Sequence, residues 1–548
     1  MTWTRRDFVR TGSAFAAAGM LGLDGRVFTD PYAAARGHRA FRPLLQDPDA
    51  RAIAMTALQA ARDVGAGYAD VRVTSGVLRQ TSVSGRQIGL RRIAGSLNFG
   101  VRVLVGGAWG FASSTIFTED EAARIARLAA RQASENPWSR LETIELAAAP
   151  VVADGQWETP IDLEPWNYSI QDQLELQLEA NELVLKIAEA GRPGLQVFSS
   201  FGFSMDDVVF ASSEGSYTRQ RLHNFAGNYV AQVISRDRRN FGSSSPGSFR
   251  TGGYGWEAID GIPWAGDVEQ SVEEAFMMLG AREPDVGRYD VVLGSGAVSS
   301  ILNSTIVRAL EYDRMLGYEM HAGGTSYLGP PEEALGQFSF GNPMLNVRAT
   351  GSVPRAAGMY KWDAEGVAPQ DYQLIREGVL VDYFTSREFA PHLEWWYKQS
   401  GMPPGSRGTS GSAGTTVTQV VAPSIAVMDP GEDDVSVEDM IAATEDGIYF
   451  RDGGFASVDP PMLNMQGSGS GLIYEIRDGK LGDLLSRPLY LANTIDFWRS
   501  MDMVGGEDTF GYSGGGTIKG NPPQQIVRTV GAPAARFRNL NVFTYGRR

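Results

Sequence analysis

The sequence predicts an α+β protein. An N-terminal domain in which helices flank a β-meander is followed by a C-terminal domain that is mostly antiparallel β. Three observations predict this. Two helix signatures bracket strand-like, alternating runs before residue 135. Two-residue, Gly-containing breaks recur between apolar runs after residue 370. The composition, 43% hydrophobic and 21% charged over 548 residues, is that of an ordinary globular chain long enough for two or three domains.

The elements follow in order. Asp47-Pro48-Asp49 opens a helix that runs to about Val64, with Pro48 in the first turn, where its missing N–H leaves no bond unmade. Tyr68 to Val73 alternates and predicts a strand with one wet face. Gly106-Gly107, between Gly100–Val105 and Ala108–Ala112, is a hairpin signal. Thr118-Glu119-Asp120-Glu121 is a capping box for a helix to about Ala133. A second long helix spans about Ile170 to Ala190, started by Ser169 and Asp172 and stopped by Gly191 and Pro193. Strands dominate from Leu195 to Val233, Asp237 to Gly266 reads as loop, and Asp267 to Gly280 reads as helix. The main boundary falls near Arg282 to Gly287, which gives domains over 36–284 and 285–548. Beyond it, Glu377-Gly378 and Asp478-Gly479 mark hairpins, and a helix runs from Val437 to Thr444 with Ser436 as N-cap.

The formal net charge of −15 argues against a nucleic-acid partner, which needs a basic face. No run of 18 uncharged apolar residues appears beyond the first 25, so no internal membrane helix is expected. Thr4-Arg5-Arg6-Asp7-Phe8-Val9-Arg10 resembles a twin-arginine signal. A weakly hydrophobic stretch over Thr11–Leu23 follows it, and Ala33-Ala34-Ala35 offers a cleavage site. Residues 1–35 are therefore expected to be a signal peptide, with the mature protein periplasmic or extracellular and free of the membrane after cleavage. The chain has no Cys, so it forms no disulfide and offers no thiolate ligand.

The most informative stretch is Val291 to Gly329, VVLGSGAVSSILNSTIVRALEYDRMLGYEMHAGGTSYLG. It is similar to the core of the TldD/PmbA family (modulator of DNA gyrase, metallopeptidase-like). In that family a VVLGSG-type strand leads into a helix with HExxxH, an LEGD-like turn and GTS. Here Val291–Gly296 matches the strand, Leu310-Glu311-Tyr312-Asp313 the turn and Gly324-Thr325-Ser326 the end. The GVRVL and GFAS phrases near residues 100–113, and Trp362–Ala368, extend the resemblance over most of the mature chain.

The resemblance implies a metallopeptidase fold and a zinc site, but the residues depart from it. The family's first His and its Glu correspond to Asn303 and Ser304, its second His to Arg308, and its Cys ligand to Ser513. Zinc takes imidazole, carboxylate or thiolate at about 2.0–2.3 Å. An amide, two hydroxyls and a permanent guanidinium cation supply none of these. We therefore expect no intact catalytic residue, no bound metal and no cofactor. Ligands five residues apart lie roughly 140° apart on a regular helix, so the family motif needs a widened turn. The stiff run Thr305-Ile306-Val307 predicts a return to ordinary helix here. The best remaining metal cluster, His321 with Glu311, Asp313 and Glu319, reads as a solvated loop of mixed charge or, alternatively, a hard-cation site.

The resemblance also implies a peptide ligand and an assembly of two homologous subunits, either a homodimer or a heterodimer with a TldD/PmbA relative. Candidate substrate-binding residues are Arg308, Arg407, Gly514 and Gly515. Arg407 lies in PPGSRGTSGSAGTT (403–416), read as a mobile loop where the family faces its substrate. Gly514 and Gly515 lie in GYSGGGTIKG (511–520), read as a Gly-rich turn whose N–H groups favour an anion such as a peptide carboxylate. Trp395-Trp396-Tyr397 reads as a buried corner or a cleft wall. The expected function is a metal-free, non-catalytic peptide-binding or partner subunit. The alternative is an active metallopeptidase that uses substitute ligands.

Overall fold

The computed structural model describes residues 44, 47–135, 143–238, 240–411, 414, 416–469 and 471–544. The expected twin-arginine signal and the expected cleavage site lie outside the described residues.

Helix α1 (Pro48–Asp63) starts where the Asp47 carboxylate accepts from the Asp49 N–H at 2.9 Å. Strands β1 (Tyr68–Ser84), β2 (Gln87–Val105) and β3 (Ala108–Ser114) form the expected meander. Gly106 and Gly107 turn it with φ of 57° and 76°, the left-handed values a tight hairpin needs. Helix α2 (Glu119–Glu135) follows. Its capping box is only half formed: Thr118 Oγ1 accepts from the Glu121 N–H, but the Glu121 carboxylate is taken by Ser114 and Arg124. After β4 (Gly155–Glu158), α3 (Ile170–Glu189) carries the complete Ser169–Asp172 box. Then come β5 (Leu195–Ser212), β6 (Tyr217–Ile234), β7 (Phe241–Ser244) and α4 (Trp264–Leu279). The span 237–266, expected to be loop, thus holds β7 and one helical turn over Glu257–Asp260, because β7 pairs with β6 and Ala258 and Ile259 join the core on the sheet's apolar face.

These strands make one sheet in the order β3-β2-β1-β5-β6-β4, with β7 on β6. On one face α1 and α2 cover Val71, Val73, Phe99, Val101 and Val209. On the same face α3 and α4 cover Phe201, Phe203, Phe225 and Tyr229. Each such side chain contributes about 1.5–3 kcal/mol on burial. The other face of β1 was expected to be wet and is not. Asp70 and Arg72 are 1% and 4% exposed. The C-terminal half covers them: Arg102 bridges Asp70 (2.7 Å) and Glu365 (3.1 Å), and Arg72 donates to the Val417 carbonyl at 2.6 Å.

No strand is shared between that sheet and the C-terminal ones. Strand β8 (Gly287–Leu293) lies in a nine-stranded sheet, parallel to β9 (Asp446–Phe450) on one side. On the other it runs antiparallel to β12 (Ala535–Thr544). A six-stranded sheet ends in β11 (Gln524–Ala532) and, at its edge, β10 (Gly511–Lys519). Most pairings are antiparallel. The hairpins at Glu377-Gly378 and Asp478-Gly479 form, with φ of 48° and 75° and of 49° and 73°. Ser436 and Asp439 cap the helix over Val437–Ala442. Helix α5 (Ser295–Leu302) leaves the tip of β8 and lies between the two sheets, which places the matched motif in the centre of this half.

Candidate functional site

Helix α5 does not continue as an ordinary helix. Asn303–Val307 forms a π turn, closed by an Arg308 N–H to Asn303 C=O bond of 3.3 Å. The expectation of a regular helix fails because tertiary contacts set the backbone pitch. Thr305, Ile306 and Val307 are each 0% exposed in the core. Tyr327 OH donates to the Thr305 carbonyl at 3.0 Å, and Trp498 Nε1 donates to Thr305 Oγ1 at 3.0 Å. β-Branching stiffens χ1 but does not forbid the wide turn. Residues 303 and 308 therefore lie close to one helical face, as an i→i+5 bond requires.

The polypeptide after the turn folds charge inward. Glu311, Asp313 and Glu319 are 0%, 4% and 3% exposed, so the expected solvated loop is instead buried. Only His321 of that cluster stays exposed. The carboxylates meet cations. Glu311 is bound by Arg314 (3.1 Å), Lys519 (3.0 Å) and Arg528. Asp313 is bound by Lys519 (2.6 Å) and accepts from the Val421 N–H. Glu319 accepts from the Gly520 N–H at 3.1 Å. Burial pushes the Glu311 carboxyl up, but Lys519, Arg528 and Arg314 outweigh it and hold the group far below the usual carboxylate range. Burial raises Asp313 against the pull of Lys519. Arg308 donates weakly to the Gly323 carbonyl at 3.4 Å, and no hydrogen bond reaches its Nε. Burial, with Arg314 and Arg528 nearby, lowers its affinity for its proton. Arg308, Arg314, Lys519 and Arg528 thus outnumber Glu311, Asp313 and Glu319 by one charge.

Next to this network lies a cavity of about 190 Å³ between α5, β10 and β11. Asn303, Ser513, Gly514 and Gly515 line it, with Ser299, Ser300 and Arg528 among their neighbours. The structure therefore brings together four of the residues singled out from the sequence. The Gly-rich segment does so as strand β10 and not as a turn, because each residue from Gly511 to Lys519 pairs with β11. Arg308 and Ser304 belong to the same π turn and its end but do not line this cavity.

Arg407 lies elsewhere. It is 3% exposed, clamps Asp382 through Nε (2.9 Å) and Nη2 (2.8 Å), and stacks 4.3 Å over Tyr397. The part of the expected mobile loop next to it is anchored, since Ser406, Thr409 and Ser410 are also buried; residues 412, 413 and 415 lie outside the described residues. Of the aromatic trio, Tyr397 is core, Trp396 donates to the Val381 carbonyl at 2.7 Å, and Trp395 faces outward.

The residues of the cavity do not fit a zinc ion. Among the described residues, no imidazole, carboxylate or thiolate lines it. The Asn303 Oδ1, its best oxygen, accepts from Arg528 Nη1 at 3.1 Å, which places a guanidinium where a cation would settle. Among the described residues, the one cluster with metal-ligand spacing is Glu158, Glu164 and His223, whose ligand atoms lie within 4.8 Å of one another. Sequence reading missed it because the pairing of β4 with β6 brings together Glu158 and His223, 65 positions apart. It also missed Arg528, although a signal existed. Ile526, Arg528 and Val530 share one strand face, and an arginine on an otherwise apolar face marks a buried charge.

Two family models match the chain. Residues 286–544 match the PmbA/TldA metallopeptidase C-terminal domain, and residues 69–133 match PmbA/TldA metallopeptidase domain 1. A metalloprotease of Methanothermobacter thermautotrophicus is 24% identical, over 87% of this chain and 95% of that relative. A metalloprotease of Methanocaldococcus jannaschii is 23% identical, over 80% and 89%. Among solved structures, a candidate modulator of DNA gyrase from Bacteroides thetaiotaomicron superposes with a TM-score of 0.65 at 16% identity, covering 91% of this chain and 100% of that one. TldE from Thermococcus kodakarensis superposes with a TM-score of 0.62 at 14% identity, covering 88% and 98%.

Proposed function

The chain belongs to the PmbA/TldD metallopeptidase family, and from that premise we propose that it is a member without metal chemistry. In this reading it binds peptides, or serves as the partner subunit of a metal-bearing relative, in an exported peptidase-like assembly. One observation carries the reading. Where the family resemblance calls for imidazole, carboxylate and thiolate, the cavity offers hydroxyls, an amide and the Arg528 guanidinium. Peptide hydrolysis needs a polarised carbonyl and an activated water. The donors of this lining can polarise a carbonyl, but among the described residues none of its side chains is a base that could activate the water.

Elemental analysis of the purified mature protein, combined with its native mass and a hydrolysis assay on unstructured peptides, tests the reading. We expect no stoichiometric transition metal, no turnover by the lone chain, and a mass of two subunits alone or with a relative. Zinc at one equivalent together with turnover overturns it. Export is tested separately: replacing Arg5 and Arg6 by Lys should retain the precursor in the cytoplasm.

The alternative, an active peptidase with substitute ligands, draws on Glu158, Glu164 and His223. It ranks second. A ligating imidazole ordinarily donates its other N–H to an acceptor, and the Nδ1 of His223 has no partner. Arg221 also stands 3.9 Å from Glu158. If this reading were right, His223→Ala would remove both metal and turnover.

A further inference from the structure

We propose that the cavity beside Asn303 is an oxyanion pocket that receives the C-terminal carboxylate of a peptide. The inference rests on the peptide-binding reading above and names the group that its cavity selects.

Between glycines and Val530, the polar side chains of the lining can all donate. Ser299, Ser300 and Ser513 bring hydroxyls, Arg528 a guanidinium, and among the described residues no carboxylate lines the space. Asn303 spends its Oδ1 on Arg528, which leaves its amide N–H groups to donate. Ser299 is 1% exposed, and its Oγ has no hydrogen-bond partner. A buried hydroxyl left unmet is unfavourable, and native structures seldom tolerate one without a ligand or water. Gly296 lines the same space from the first turn of α5, where backbone N–H groups lack helical acceptors and the helix dipole is positive.

Charge points the same way. Counting the half-buried Arg308, the network behind the lining carries one cation more than it has carboxylates, and Arg308 forms no ion pair among the described residues. Burying an uncompensated charge is unfavourable, and one bound anion balances it. A free phosphate would satisfy these donors as a carboxylate does. The family fold and the open strand β10 along one wall favour the end of a peptide.

The geometry supplies a clean way to close the pocket. Gly515 pairs with Arg528 across the strands, so the two share the cavity-facing side. A Cβ built on Gly515 meets nothing within 4 Å. Gly515→Val therefore adds bulk where a Cβ has room, and Ser299→Ala removes the orphaned hydroxyl alone.

The test titrates the full chain calorimetrically with three probes. These are a mixed-sequence hexapeptide pool with free C-termini, the same pool C-amidated, and inorganic phosphate. We expect the free-acid pool to bind about tenfold tighter than the amide. Gly515→Val should erase that preference and Ser299→Ala should reduce it about threefold, with melting curves matching the parent. Should Gly515→Val not fold, Ser299→Ala decides alone. Phosphate binding with equal affinity for the two pools would keep the oxyanion pocket and overturn its assignment to a peptide terminus. Equal pools without phosphate binding would overturn the pocket and leave the peptide-binding reading in place. Binding of neither pool nor phosphate would overturn both.

Discussion

Arg407 and Arg528 are almost equally inaccessible, at 3% and 2% exposure, yet their surroundings are opposite. Arg407 meets one carboxylate, Asp382, and its remaining Nη1 donates to the Pro403 carbonyl at 3.0 Å. Tyr397 and Tyr372 cover its guanidinium at 4.3 and 5.1 Å, and no charge is left over. Arg528 shares Glu311 with Arg314 and Lys519, belongs to a cluster with a surplus cation, and borders a cavity. Burial of a charge does not mark a binding site by itself. An unbalanced charge beside a void does, because only there can a ligand contribute what the protein has left undone.

Four outcomes break or sharpen this contrast, beginning with the largest. Arg407→Ala strands the Asp382 carboxylate in the core and should cost about 3–5 kcal/mol in equilibrium denaturant unfolding. A loss below about 1 kcal/mol would show that Asp382 finds other partners and that the closed corner is not closed. Lys519→Met should cost less, about 1–3 kcal/mol. Asp313 loses its cation but keeps the Arg314 and Val421 N–H donors, Glu311 keeps Arg314 and Arg528, and the surplus charge is relieved.

The third concerns a half-buried carboxyl, Asp206, that no cation pairs among the described residues. Burial, and then Asp207, raises Asp206 from 3.8 to about 6. Its folded affinity for the proton exceeds its unfolded one. Its contribution is therefore complete below pH 3.8 and is lost as the pH rises to about 6. A stability profile measured across that window should decline for the parent and flatten for Asp206→Asn.

The smallest effect on stability is expected for Arg308→Ala, within about 1 kcal/mol of the parent, since no ion pair is broken. Peptide or partner binding should nevertheless weaken, with metal content at background. Loss of a zinc-dependent hydrolysis in that variant would show the cleft to be wrongly assigned. Likewise, restoring His, Glu and His at positions 303, 304 and 308 should leave zinc at background. Ser513 still offers no thiolate, and Arg528 still occupies the lining.

Much of the fold was legible because the signals were local. Asp47, Ser169 and Ser436 cap the helices they were read to cap. Gly106-Gly107, Glu377-Gly378 and Asp478-Gly479 turn the hairpins they were read to turn. The candidate site was legible only in part. Asn303, Ser513, Gly514 and Gly515 do meet, but Arg528, Lys519 and Ser299 were not singled out. The two Gly-rich segments show why composition misleads. Residues 403–416 were read as mobile and 511–520 as a turn, yet residues 406–410 are anchored around buried Arg407 and residues 511–519 pair as β10.

The sequence by itself determined where helices begin, where hairpins turn, and to which family the chain belongs. Caps, turn conformations and motif spacing depend on neighbours a few residues away. Only the tertiary structure decided that residues 303–307 stay wide, that the face of β1 is covered, and that a cavity lies beside buried charge. Those outcomes rest on partners remote along the chain, such as Arg528 on Asn303, 225 residues apart, or Arg72 on the Val417 carbonyl, 345 apart. Packing and charge balance act on what is close in space, and no local pattern of residues encodes which distant segment will arrive there.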